Sequence, residues 1–312
     1  MKNEELKILI ICSKNSGKIA PFIAEQVDFL KEANCNVDFF TVEGKGSWEY
    51  LKNRKKLLRK ISDFQPNIIH AHYGLSGLLA NLQRRVPVIT TYHGSDINSK
   101  KVLRFSKIAI FLSKFNIFVS KKNIQIAKPR KNYALLPCGV DMDIFLPLNN
   151  RDLIRKKYNF DISKKYVLFS SSFDNTIKNY NLAEKTINKL ENVVLLELKG
   201  YTRRQVSELM NAVDCALLTS FSEGSPQFVK EVMACDCPIV SVDVGDVREK
   251  LEGVANCYVT ETYDENKIAA CLQKVFALNQ RSDGRNRIIE LKLDNKLIIK
   301  ELIRIYNNIL KK

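Results

Sequence analysis

The sequence predicts an α/β protein of two Rossmann-like, doubly wound parallel-sheet domains, followed by C-terminal helices. Short apolar runs alternate with helix-spaced segments from Lys7 to Gly139, and the alternation restarts at Tyr166 and continues to Thr260. Such alternation implies parallel strands covered on both faces, because each crossover lays a helix on the sheet. Between the two series lies Phe145 to Asn150, with Pro147 and two asparagines, which reads as a linker. The 312 residues, 45% of them hydrophobic, are enough to build two cores.

In the first series Lys7 to Ser13 reads as a buried strand, and Ile19 to Ala33 as a helix with Ile23, Val27, Leu30 and Ala33 on one face. The link between them contains Gly17, and glycine permits close backbone approach to a ligand. Asn36 to Val42 is a second strand, Tyr50 to Phe64 a basic helix and Asn67 to Tyr73 a third strand. Val86 to Tyr92, Asn116 to Ser120 and Tyr133 to Gly139 complete the set. The second series has strands at Tyr166 to Ser170, Asn192 to Leu198, Cys215 to Ser220, Pro238 to Asp243 and Cys257 to Thr260. Helices fall between them near Asn179 to Leu190, Arg203 to Ala212, Gln227 to Cys235 and Val247 to Leu251. After Asp264 the pattern turns helical, with Lys267 to Leu278 and then one long helix, Ile288 to Leu310.

The composition removes several function classes. No apolar run is long enough to span a bilayer, since Lys107 to Ser120 is interrupted by Lys114. The charged start, Met1 to Lys7, leads straight into a strand rather than a signal peptide, so a cytoplasmic location is expected. Eight scattered cysteines without a C-x2-C pair support neither a zinc ribbon nor a disulfide framework. A net charge of +16 asks for an anionic partner: nucleic acid, an anionic membrane or a phosphorylated substrate. No nucleic-acid motif accompanies it.

The chemistry concentrates at Glu223 to Glu231. The strand Cys215 to Ser220 enters this stretch and a helix leaves it. Ser225 is a preferred N-cap type and Pro226 suits the first helical position, which would present the N–H groups of Gln227 and Phe228 to a phosphate. Glu223 belongs to the loop, and Glu231 lies a turn and a half into the helix. A nucleotide sugar offers hydroxyls on either side of its diphosphate for two such acids. Taken alone, so short and common a pattern reads first as two surface charges on an ordinary helix, and it is the context that favours a site. His70 and His72 end a strand as H-x-H, but only His93 remains as a further histidine ligand, so a metal hydrolase is not expected and the pair reads as structural. His93, with Gly94, ends its own strand where open α/β sheets bind ligands.

Several ordered blocks carry a resemblance. Asn211 to Ser220, Glu223 to Glu231, Met233 to Val240 and Val244 to Val247 resemble the donor-binding domain of family 4 retaining glycosyltransferases. Ala71 to Gly74, Thr91 to Asp96 and Pro137 to Phe145 resemble that family's N-terminal blocks in the same order. The resemblance implies the GT-B architecture, two domains facing across a cleft, here residues 1–147 on the acceptor side and 148–290 on the donor-nucleotide side. Residues 291–312 would form the last helix, which in that fold often crosses back to the first domain. It implies retaining transfer from a nucleoside-diphosphate sugar to a hydroxyl, with neither a protein nucleophile nor a metal.

By the same resemblance His93 and Glu223 would hold the donor sugar, Lys178 and the N–H groups after Gly224 the diphosphate, and Glu231 the ribose. Ser225, Pro226 and Gln227 would complete the donor-binding turn, and the Gly17 loop would lie against donor phosphates or acceptor. The family's usual arginine position is taken by Ser172, which brings no charge. Arg203, Arg204 or a bound cation would have to substitute, so a catalytically idle sugar-nucleotide or polyanion binder stays open, as does an epimerase of the same fold. The expected acceptor is a glycan or lipid-linked hydroxyl in bacterial cell-surface polysaccharide or glycolipid synthesis. Lys52, Arg54, Lys55, Lys56, Arg59 and Lys60, within residues 50–64, would meet an anionic membrane.

Overall fold

A computed structural model describes residues 5–15, 17–44 and 46–311. They form two compact units: unit 1 runs to Cys138 and resumes at Asn295, and unit 2 is Gly139–Asp294. Unit 1 comprises β1 (Lys7–Ser13), α1 (Pro21–Glu32), β2 (Asn36–Val42), α2 (Ser47–Lys52), α3 (Arg54–Phe64), β3 (Ile68–His72) and α4 (Gly74–Asn81). It continues with β4 (Val88–Tyr92), α5 (Ser95–Asn98), α6 (Lys100–Leu112), β5 (Phe115–Phe118), α7 (Lys121–Ala127) and β6 (Tyr133–Leu135). Unit 2 comprises α8 (Arg151–Lys157), β7 (Lys165–Phe169), α9 (Tyr180–Ile187), β8 (Val193–Leu196), α10 (Arg203–Ala212), β9 (Cys215–Leu218) and α11 (Gln227–Ala234). Then follow β10 (Ile239–Val242), α12 (Val247–Leu251), β11 (Tyr258–Thr260), α13 (Glu265–Leu278) and α14 (Gly284–Glu290), before α15 (Asn295–Leu310) returns to unit 1.

The unit 1 sheet has the order β2-β1-β3-β4-β5-β6, parallel throughout. Strand β1 shows why its run is uninterruptedly apolar. Ile8, Ile10 and Cys12 face Ile23, Val27 and Leu30 of α1 and Ile299, Leu302 and Ile305 of α15. Leu9 and Ile11 face the other layer, with Leu57 and Ile61 of α3 and Leu79 and Ala80 of α4. Each such aliphatic side chain contributes about 1.5–3 kcal/mol by leaving water, so a two-sided strand is mainly apolar and holds a polar side chain only where it finds a partner, as His70 does in β3 with Thr91 and Tyr306.

The unit 2 sheet has the order β11-β10-β9-β7-β8, again parallel. Strand β9 lies at its centre with Cys215, Ala216, Leu217 and Leu218 all fully buried.

Three sequence expectations are corrected. The basic helix Tyr50 to Phe64 is two helices, broken at Asn53, whose side-chain amide donates to the Glu49 carbonyl at 2.8 Å. The long helix Ile288 to Leu310 is likewise interrupted, because Leu293 turns into the core of unit 2 and its carbonyl accepts from Val140 N–H at 2.8 Å. The segment Phe145 to Asn150 is not a free tether. Phe145 is fully buried, Leu148 N–H donates to Asn211 Oδ1 at 2.8 Å, and Asn211 Nδ2 donates to the Leu146 carbonyl at 3.0 Å, so the division falls earlier, at Cys138. All eight cysteines are free thiols. No helix among the described residues is long and apolar enough to cross a membrane.

Candidate functional site

In an open parallel sheet ligands collect past the carboxyl ends of the strands where strand order reverses. In unit 2 that point lies between β7 and β9, which are neighbours although β8 intervenes in sequence. The loop after β7 carries Ser172 and Lys178, and the loop after β9 carries Glu223 to Gln227. A 3-10 turn, Thr176–Lys178, ends the first loop and is opened by Asn175, whose side chain accepts from Ile177 N–H at 3.2 Å. Thr219 Oγ1 donates to the carbonyls of Lys178 and Asn179, which ties the two loops together. Lys178 Nζ then donates to Glu223 Oε1 at 2.5 Å, both side chains being largely buried.

Helix α11 begins one residue later than the sequence suggests. Pro226 occupies the N-cap, Gln227 is the first helical residue, and Ser225 stands in the turn outside, so the helix has no side-chain cap. Proline at the cap leaves no hydroxyl to compete with an anionic ligand for the first N–H groups. Gln227 Nε2 is used structurally, donating to the Gly139 carbonyl at 2.6 Å. Gly224 is backed by Gly245 at φ +63°, where an added Cβ would meet the Gly224 carbonyl oxygen at 2.8 Å. Beside Gly245, burial pushes the Asp246 carboxyl up, while Lys250 and Lys230 pull it back.

Glu231 is 4% exposed and pairs with Arg203 at the start of α10, Nη2 to Oε1 2.7 Å. The guanidinium lies 4.6 Å from the Phe145 ring centroid. Arg203 is therefore engaged with the helix acid. Ser172 itself hydrogen-bonds Asp174, which together with Lys199 at 3.0 Å holds that exposed carboxyl below its usual range. Lys199 is the cation nearest to this arrangement that the sequence reading did not single out.

His93 and Gly17 belong to unit 1, where strand order reverses between β1 and β3. A cavity of about 420 Å3 opens there, lined by Asn15, Lys18, Tyr50, Tyr73, Ser95 and Asp96 among others. Gly17 turns the chain out of β1 at φ +81°. Asp96 organises the rim: its Oδ2 accepts from Gly74 N–H at 3.0 Å, and its Oδ1 from the N–H groups of His93 and Gly94 at 3.1 and 3.0 Å. Burial raises the Asp96 pKa to about 6, against the lowering effect of those three donors.

His93 is the last of three stacked imidazoles. His70 and His72 lie 4.5 Å apart between centroids, and His72 and His93 5.2 Å. His72 Nδ1 and His93 Nε2 share a hydrogen bond at 3.0 Å, and His70 is held by Tyr306 OH at 2.6 Å and Thr91 Oγ1 at 2.7 Å. Burial keeps His70 and His72 neutral, His72 at about 3. Among the described residues no group of His, Cys, Asp and Glu is arranged to hold a metal ion, and the imidazoles stack rather than converge.

Sequence reasoning missed Arg203 as the partner of Glu231, Gly245 as the prop of the donor turn, and Asp96 as the organiser of the His93 loop. Arg203 and Gly245 act over tertiary contacts, and Asp96 combines two local contacts with one to Gly74. For Asp96 and Gly245 the signal present was membership of the quoted blocks, Thr91 to Asp96 and Val244 to Val247.

Residues 21–144 match the model of Glycosyltransferase Family 4, and residues 166–277 match that of Glycosyl transferases group 1. The chain belongs to the family 4 glycosyltransferases. This chain is 26% identical over 220 residues to the putative teichuronic acid biosynthesis glycosyltransferase TuaC of Bacillus subtilis, covering 60% of this chain and 56% of that protein. It thus spans just over half the length of that curated relative. Among solved structures it is similar to sucrose-phosphate synthase from Thermosynechococcus elongatus, with a TM-score of 0.81, 15% identity and coverage of 98% and 100%. It is also similar to Anabaena Alr3699/HepE in complex with UDP, with a TM-score of 0.75, 15% identity and coverage of 97% and 100%. At these identities the likeness establishes the GT-B fold of the glycosyltransferase chain.

Proposed function

We propose that this chain transfers a sugar from a nucleoside-diphosphate sugar to a hydroxyl of a glycan or lipid-linked acceptor, with retention of configuration, in the synthesis of a cell-surface polysaccharide. The observation that carries the reading is the pair of carboxylate–cation contacts at the switch point of unit 2, Lys178 with Glu223 and Arg203 with Glu231. Glu231, in the second turn of α11, is fixed by its contact with Arg203, which suits an acid that would hold ribose hydroxyls. Lys178 carries three donors, one given to Glu223, and suits a diphosphate oxygen. The leaving diphosphate gains charge in the transition state, and Lys178 with the first N–H groups of α11 would stabilise it. The acceptor proton then passes to the leaving phosphate, so the reading needs neither a protein base nor a metal.

The cavity beside Asp96 and Tyr73 is the corresponding acceptor pocket of unit 1 in this reading. The relatives support the donor class: the Anabaena protein is solved with UDP-glucose, and the Bacillus relative is named for polysaccharide synthesis. A lipid-linked acceptor would be met at the inner, anionic face of the membrane, where the exposed Arg54, Lys55, Lys56 and Arg59 of α3 contribute attraction. Nucleoside diphosphate released from a panel of nucleotide sugars, only when acceptor-bearing membrane extract is added, tests transfer. Release without acceptor, or none at all, would favour an epimerase or an idle binder, and the anomeric coupling of the product by NMR reports retention.

A further inference from the structure

Between Asp96 and Asp141 the sequence holds ten Lys and Arg residues and no Asp or Glu, against a net charge of +16 for the whole chain. This stretch forms α5, α6, β5, α7 and β6 at one side of unit 1. Helix α6 buries Ser106 and Ala109 and leaves Lys100, Arg104, Lys107 and Phe111 exposed at helical spacing. Phe111 is 86% exposed and Ile108 beside it 48%. Where α6 and α7 end, a cavity of about 820 Å3 is lined by Lys107, Phe111, Lys128, Arg130 and Lys131 among others. It sits at the amino ends of β5 and β6, away from the strand ends that carry Asp96 and His93.

We infer that this α6–α7 face is the membrane-docking surface, with the cavity taking the phosphate headgroup of an anionic phospholipid and Phe111 entering the interface beside it. The inference rests on the membrane reading above and places the contact on a different element. An exposed phenylalanine amid cations is costly in water and favourable at the headgroup boundary. Basic side chains without a carboxylate in the stretch give the face one sign of charge. Helix α3 is less suited, because Lys60 is paired with Asp38 and its apolar residues Leu57 and Ile61 are buried in the core, and in the preceding α2 Lys52 is paired with Glu49. A nucleic acid could stack a base on Phe111, but no nucleic-acid motif accompanies the stretch, and the adjoining Ile108 suits an acyl interface.

The test is sedimentation of the full chain with phosphatidylcholine vesicles with and without phosphatidylglycerol, at low and raised salt. The wild type should bind only the anionic vesicles and release in salt. Lys107→Gln/Lys128→Gln/Arg130→Gln/Lys131→Gln should lose binding at roughly fivefold per charge, and Phe111→Ser should weaken it about tenfold. The exchange Arg54→Gln/Lys55→Gln/Lys56→Gln/Arg59→Gln should change it less. Unchanged thermal melting and donor-nucleotide affinity would show that the variants are folded. Retained vesicle binding in the α6–α7 variant with loss in the α3 variant overturns this assignment but keeps the membrane reading. A wild type that ignores anionic vesicles overturns both, and one that ignores them yet binds an oligonucleotide, with loss in the α6–α7 variant, reassigns the face to a nucleic acid.

Discussion

Lys178 and Glu223 are 45 residues apart in sequence and 2.5 Å apart in space, joining the loop after β7 to the loop after β9. The contact sets the position of both side chains at the reversal of strand order. Lys178→Ala should weaken donor affinity by about 1.5–3 kcal/mol, the range for a hydrogen bond to a charged group. Glu223→Gln should leave nucleoside-diphosphate affinity nearly unchanged and reduce turnover, since the lysine stays. Calorimetry with the diphosphate alone, set beside turnover, separates the two. Equal nucleotide affinity in wild type and Lys178→Ala would remove Lys178 from the phosphate site.

Arg203→Ala leaves the almost buried Glu231 carboxylate without its guanidinium. Breaking a buried pair on one side costs about 3–5 kcal/mol, so the variant should melt clearly below wild type. Replacing both as Arg203→Met/Glu231→Leu should recover part of that loss while abolishing nucleotide binding. A double variant no more stable than Arg203→Ala would show that the pair contributes little.

Gly245→Ala places a methyl group against the Gly224 carbonyl at a left-handed backbone position. The Glu223–Gly224 turn must shift, and donor binding should fall at least tenfold with a modest loss of stability. Hydrogen exchange should rise around Gly224 and Gln227. An unaltered donor affinity would mean that the turn accommodates the methyl group elsewhere.

The stacked histidines predict acid lability. His72 is depressed from 6.5 to about 3, so its burial carries no protonation penalty above pH 6.5 and destabilises the folded state as pH falls from there toward 3, by about 1.4 kcal/mol per pH unit. His70 acts in the same direction. Asp96 acts oppositely between about pH 4 and 6, because its raised pKa means the folded state holds the proton more tightly. Two histidines outweigh one carboxyl, so urea midpoints should drop from pH 7 to pH 5. His72→Phe should flatten that slope, and a slope equal to wild type would contradict the burial argument.

The fold was legible because buried parallel strands are mainly apolar, and both series of runs lie where β1 to β5 and β7 to β11 are found. Their ends were less legible. Ser120 looks like strand continuation by composition, yet its hydroxyl accepts from Asn123 N–H and caps α7. The strand, turn and helix around Glu223 were readable because all three signals are local. The partners of the site were not. Arg203 lies on another helix from Glu231, and Gly245 acts through a contact that only folding creates. The exposure of Phe111 was equally hidden, since Lys107 to Ser120 reads as an apolar run whichever side of α6 faces water.

Tyr306 reaches His70 across 236 residues of sequence. Helix α15 also supplies Ile299, Leu302 and Ile305 to the core under β1. A ribosome therefore delivers the first sheet long before the helix that finishes its core, with the whole of residues 139–294 emerging in between. During translation the layer that α1 shares with α15 stays only partly covered, and contacts of such wide sequence separation make for slow closure. Unit 2 has no such debt to a later segment, so the second-made half of the molecule should be the first to reach its native state.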